Sequence, residues 1–293
     1  MKTIMIRKNA DDFILEKKAQ NASIYSLYSY KSIMKDFLLF LEEHKTKTTF
    51  GLNQHLLDEY SAELIQKNIA GKTILSRAKF VNQFMIYLGK PSLKMQRPKF
   101  DETRKPSFDI EEINTIIKKT TYSNATSVLC YFLLATGARS RSVRNIKVQD
   151  IDFETGFIFF IKTKTRKIIK VPLCKNLEKL LHSYIELHKL GPHNYLFFND
   201  NGDPLSKSSI YRRIQSYLES IGIESKGVHI FRHTFAKACV LNGCDTITLA
   251  ELMGHSKIEQ SQEYVLYYSM ELKEKGSRFN PVQNFDYLKY KSC

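Results

Sequence analysis

Apolar residues in this sequence recur at three- and four-residue intervals in segment after segment. Tyr30, Ile33, Met34, Phe37, Leu38 and Leu41 share one helix face; so do Leu56, Leu57, Tyr60 and Leu64, and then Ile74, Ala78, Val81, Phe84 and Met85. One region breaks the period. Phe157–Ile161 and Ile168–Val171 are aromatic and β-branched runs, and they bracket a basic tip that carries Lys162, Lys164 and Lys167. Such a pattern predicts a β-hairpin. Further helices are expected at about 174–189, 206–221, 232–242 and 246–253. The chain is therefore limited to a mainly α architecture with a small β-sheet.

Three regions follow from the breaks in this pattern. Residues 1–90 read as a small all-helical domain, with residues 1–10 a short frayed start and helix from about Asp11. Its outer faces are expected to carry Lys31, Lys35, Lys67, Lys72, Arg77 and Lys79. Residues 91–107 read as a basic interdomain linker: the stretch from Gly89 to Ser107 holds three prolines and six basic residues with little periodicity. Residues 108–293 read as the second domain, opened by a helix with Asp109, Glu111 and Glu112 in its first turn. Asp152 to Gly156 reads as a turn before the hairpin.

Charge narrows the partner. Forty-five Lys and Arg stand against thirty Asp and Glu, a formal net charge of +15. That excess predicts a polyanion, with nucleic acid ahead of an acidic membrane surface. No apolar run approaches the length of a membrane span. The N-terminus lacks the apolar core of a secretory signal. Cys130, Cys174, Cys239, Cys244 and Cys293 show no paired spacing, which fits reduced cytoplasmic thiols rather than disulfides or a metal site.

Five polar groups then need a reason: Arg139, a lysine on the hairpin tip, His229 with Arg232, His255 and Tyr264. Each has an ordinary explanation when taken singly; Tyr264 is one of sixteen tyrosines. In order, they resemble the motifs of the tyrosine recombinases, the phage-type integrases. Leu133–Asp152 (LLATGARSRSVRNIKVQDID) resembles their first conserved box, His229–Ala236 (HIFRHTFA) their second, MGHS the Gly-His element and QEY the nucleophile segment.

The resemblance implies an N-terminal helical core-binding (SAM-like) domain and a mixed α/β catalytic domain. It implies that Tyr264 attacks a DNA phosphodiester and forms a 3′-phosphotyrosyl link, without ATP, metal or other cofactor. Arg139 and Arg232 would hold the non-bridging oxygens. His229 would act as acid or base, and His255 would donate to the scissile phosphate. The hairpin lysine would protonate the leaving oxygen; members of the family usually carry it eight residues before a proline that closes the second strand, which implies Lys164 by way of Pro172, with Lys162 as the alternative. One position departs from the family: Ser142 stands where an acidic residue is usual. The family also implies double-stranded DNA recombination sites as partners, a Holliday junction, a homotetramer joined by C-terminal tails, accessory DNA-bending proteins and a nucleoid-associated cytoplasmic location. A type IB topoisomerase and a catalytically silent DNA-binding regulator stay open as rival readings.

Overall fold

The computed structural model describes residues 5–96, 106–161, 168–224, 227–255 and 257–268. The chain forms two compact units, Met1–Thr103 and Arg104–Cys293.

The first unit packs four helices: α1 (Ile6–Ala19), α2 (Ile24–Glu43), α3 (Gln54–Gln66) and α4 (Gly71–Tyr87). Side-chain caps start two of them. Ser23 accepts from the Ser26 N–H ahead of α2, and Asn53 accepts from the Leu56 N–H ahead of α3. Asn21, Lys45 and Asn68 follow helices in the left-handed region, with φ of 59°, 54° and 53°. The core is aromatic: Phe13 lies 5.4 Å from both Phe80 and Phe84, and Phe37 and Phe40 pack on Tyr60. Each such ring removed from water contributes about 1.5–3 kcal/mol.

Three expectations change here. The frayed start is a helix from Ile6 onward, because Ile6, Ala10 and Phe13 fall at helical spacing and are buried. The first part of the expected linker packs on the first unit. Met95 is buried and exchanges two hydrogen bonds with Asn82 (2.8 and 3.2 Å), and Gln54 and Lys94 do the same (2.8 and 3.0 Å). Arg77 is not an outward cation: its side chain is mostly covered, paired with Asp36 at 2.8 Å, and donates to the Tyr60 hydroxyl. Lys67 is exposed but paired with Glu63.

The second unit opens with α5 (Ile110–Lys119), held by a reciprocal capping box between Asp109 and Glu112. It continues through α6 (Ala125–Thr136) and the short α7 (Ser140–Asn145). A three-stranded antiparallel sheet follows: β1 (Ile151–Asp152), β2 (Phe157–Ile161) and β3 (Ile168–Pro172), in that order, with Phe157 paired to Pro172 and Ile161 to Ile168. The hairpin is thus present, and β1 adds a strand that the sequence pattern did not announce. Asp152 ends β1 and accepts from the Glu154 and Thr155 N–H groups, which closes the turn. Then come α8 (Lys175–Leu187), α9 (Lys207–Ser220), α10 (His229–Leu241), α11 (Thr246–Met253) and α12 (Glu259–Tyr268).

Helix α6 is the axis of this unit. Val128, Leu129, Cys130, Phe132 and Leu133 are all buried, as expected of a helix surrounded by other elements. Phe132 meets Phe160 of the sheet and Phe197 edge-on. A smaller apolar cluster joins α10, α11 and α12 through Ala236, Val240, Leu249, Met253 and Tyr264.

Candidate functional site

The last turns of two helices build the floor of the site. Helix α6 ends at Gly137 (φ +58°) and α11 at Gly254 (φ +56°), both left-handed caps. A helix C-terminus leaves carbonyls without intrahelical donors and carries the negative end of the helix dipole. Here two guanidiniums satisfy them. Arg232, only 7% exposed, donates to the Gly137 carbonyl at 2.8 Å and to the Met253 carbonyl at 2.6 Å. Arg139, half-buried at the start of α7, donates to the Met253 and Gly254 carbonyls at 3.1 and 3.2 Å. The Met253 oxygen therefore ties both arginines to one point. Among the described residues, neither is paired with a carboxylate. Burial pushes Arg232 down to about 10, and the Arg139 charge adds to that shift while Tyr264 opposes it; at pH 7 the group stays cationic. Two fixed positive charges without a matching anion make a seat for a phosphodiester.

Gly254 fits no larger residue. A Cβ there would fall 2.2 Å from the Ile169 Cδ1, and the backbone already sits in the left-handed region. Gly254→Ala is expected to cost about 1–3 kcal/mol by strain and overpacking. It should also displace the carbonyls that hold Arg139. Urea denaturation checks the first effect, and a shift of the Arg139 guanidinium resonances in NMR the second.

Tyr264, on α12, is 4% exposed. Its hydroxyl lies 2.7 Å from Nδ1 of His233. Its ring lies parallel to that of His255, 6.3 Å away at 10°. His255 Nδ1 is in turn 2.7 Å from the hydroxyl of Ser261, which is fully buried. That bond fixes the orientation of the imidazole, the same job a carboxylate or carbonyl does for histidines elsewhere. The Tyr264 phenol interacts electrostatically with both Arg139 and Arg232, so it shares their site.

His229 begins α10. Burial lowers its pKa first, followed by the charges of Arg232, Lys207 and Arg139. The folded value is thus below the unfolded one near 6.5. The stability it contributes is full above that unfolded value and is lost as pH falls through it toward the folded value. A bound phosphate reverses the electrostatic part. The His229 ring proton should titrate below 6.5 in the free protein and move upward on binding a phosphodiester, as read by NMR.

Residues 106–269 match the model of the phage integrase family, more than half of the chain. This chain is a member of the phage integrase family. The members are tyrosine recombinases, enzymes that transfer DNA strands, and this chain is one of them. It is 26% identical over 273 residues to the tyrosine recombinase XerD of Staphylococcus haemolyticus, covering 86% of this chain and 91% of that one. It is also 26% identical to the tyrosine recombinase XerA of Pyrococcus furiosus, covering 86% and 95%. In fold it is similar to the Tn1549 transposon integrase solved in complex with a circular intermediate DNA, with a TM-score of 0.70, 18% identity, and 92% and 99% of the two chains covered.

The structure gathers Arg139, His229, Arg232, His255 and Tyr264 in the second unit. Lys164, with Lys162 and Lys167, lies outside the described residues, as does the tail beyond Tyr268. The base of the hairpin nevertheless reaches the site, since Ile169 of β3 packs against Gly254. Ser142 donates its backbone N–H to the Arg139 carbonyl, within α7. Sequence reading missed His233, Ser261 and Lys207. His233 had a usable signal: it stands four residues after His229, on the same helix face. Among the described residues, no group of three or more His, Cys, Asp or Glu is placed to hold a metal, and no helix is long and apolar enough to cross a membrane.

Proposed function

We propose that this chain is a site-specific recombinase that cleaves and rejoins double-stranded DNA through a 3′-phosphotyrosyl bond to Tyr264. The observation that supports it most is the pair of guanidiniums, free of carboxylate partners among the described residues and held within electrostatic reach of a buried phenol. Tyr264 attacks the phosphorus. Arg139 and Arg232 stabilise the negative charge that builds on the non-bridging oxygens in the five-coordinate transition state. Both keep further N–H donors beyond those bonded to carbonyls. His255 donates to the same phosphate, and His229 stands among the cations that hold it. Lys164, between β2 and β3 in the sequence, protonates the departing 5′-oxygen. The ester conserves the energy of the broken bond, so rejoining to a second duplex needs no nucleotide cofactor.

Strand exchange then passes through a Holliday junction, in a homotetramer assembled on two DNA sites with help from DNA-bending proteins in the nucleoid. The first unit grips the duplex, using cations such as Lys31, Lys35, Lys72 and Lys79, which are exposed. The biological task is integration or excision of a mobile element, or Xer-like resolution. The similarity to both XerD and a transposon integrase supports this range.

Two differently labelled duplexes carrying a sequence that the wild-type chain selects from random DNA test the reading. Recombinant duplexes with swapped labels are expected. Relaxation of supercoiled DNA without swapped labels would support a topoisomerase instead. Binding without any covalent adduct would indicate a silent regulator.

A further inference from the structure

We propose that His233 receives the proton of the Tyr264 hydroxyl when that tyrosine attacks DNA, and that it holds the phenol in place beforehand. The inference rests on the reading of Tyr264 as the nucleophile. A phenol is ordinarily protonated at neutral pH, so attack needs a base in contact with its oxygen. Nδ1 of His233 is 2.7 Å from that oxygen, within the range for direct transfer. The ring centroids are 5.8 Å apart, and the phenol itself is 4% exposed, which leaves bulk water little access to it.

His229, the histidine of the His-x-x-Arg motif, is differently placed. Its ring makes no hydrogen bond to a described residue, and Arg232, Lys207 and Arg139 all bias it against accepting a proton. The two histidines therefore divide the work. His229 stands among the cations where the phosphate is held. His233, one turn further along α10, stands at the nucleophile. This division follows from the sequence: positions 229 and 233 share a helix face, and α10 packs against α12, which carries Tyr264.

The step balances. The Tyr264 O–H bond breaks and its proton goes to His233 Nδ1. The tyrosine oxygen bonds to phosphorus, the bond from phosphorus to the 5′-oxygen breaks, and that oxygen takes a proton from the general acid assigned to Lys164. In rejoining, the 5′-hydroxyl attacks and returns its proton to Lys164, the bond from phosphorus to the tyrosine oxygen breaks, and the tyrosine recovers its proton from His233.

The test uses the full chain and a nicked duplex carrying the selected sequence, which traps the covalent adduct. His233→Ala is expected to slow adduct formation about 100-fold, the lower end of what a positioned base supplies. His233→Gln, which can hydrogen-bond but cannot take the proton, should be as slow. Added imidazole should restore part of the His233→Ala rate. A second substrate bypasses the tyrosine: a DNA strand ending in a 3′-p-nitrophenyl phosphate, joined to a 5′-hydroxyl strand by Tyr264→Phe protein. Adding His233→Ala to Tyr264→Phe should leave that joining within about threefold, since a proton acceptor for Tyr264 has no work there. A wild-type rate in His233→Ala or His233→Gln would overturn the proposal. So would equal loss of p-nitrophenyl joining, which marks a structural role. Failure of the underlying reading looks different: wild-type protein would form no adduct, or Tyr264→Phe protein would still form one.

Discussion

Tyr264→Phe protein is expected to bind its DNA and form no covalent adduct with it. The substitution removes one oxygen and leaves the ring in the apolar cluster with Ala236, Val240, Leu249 and Met253. Loss of the bond to His233 costs about 1 kcal/mol of stability, a small part of the total. The chemical loss is far larger, because no phosphate ester can form on a phenyl ring. Losing a single essential nucleophile lowers turnover by about 10⁴-fold or more. Tyr267 and Tyr268 follow on the same helix, so Tyr267→Phe and Tyr268→Phe proteins are the comparison: both should form adduct. Adduct yield on a nicked duplex, with circular dichroism to verify folding, measures the difference.

Arg232→Ala protein is expected to lose both cleavage and some stability. The guanidinium bridges the Gly137 and Met253 carbonyls, which belong to the ends of two different helices. Removing it leaves a buried acceptor at Gly137 without this donor and loosens α6 from α11, at about 1.5–3 kcal/mol for hydrogen bonds made by a charged group. Its charge also faces the phosphate in the proposed reaction. Loss of one such preorganised donor lowers the chemical rate by about 10²–10³-fold. Arg232→Lys should recover little, because a compact ammonium cannot span the two carbonyls as a planar fork does. Comparing cleavage rates at a temperature well below each variant's melting point separates the chemical loss from the structural one.

The residues proposed to carry the chemistry stand out in the sequence by their order and spacing. Arg139, His229, Arg232, His255 and Tyr264 lie in one unit although up to 125 residues separate them. What holds the arginines was not legible. Their partners are the carbonyls of Gly137, Met253 and Gly254, and a backbone oxygen has no letter in the sequence. Only the glycines hinted at it, through the left-handed caps they permit. The fold followed a similar division. The hairpin and most helices were written in apolar periodicity. Helix α1 was misread because a chain start with polar neighbours looks frayed until α2 and α4 are there to cover Ile6, Ala10 and Phe13. Arg77 was misread for the complementary reason: Asp36, forty-one residues upstream, turns an apparent surface cation into a covered ion pair. Met95 shows that a Pro- and Lys-rich stretch can still contribute one anchor to a core.

In the proposed reaction Tyr264 becomes bonded to DNA. The direct measurement is mass-spectrometric fragmentation of the adduct trapped on a nicked duplex, after digestion with trypsin and nuclease. Cleavage after Lys257 and Lys273 places Tyr264, Tyr267 and Tyr268 on one peptide, so the fragment series must locate the nucleotide within it. A nucleotide 3′-phosphate is expected on Tyr264 alone. A nucleotide on Tyr267, Tyr268 or any other residue, or one joined through its 5′-phosphate, would contradict it.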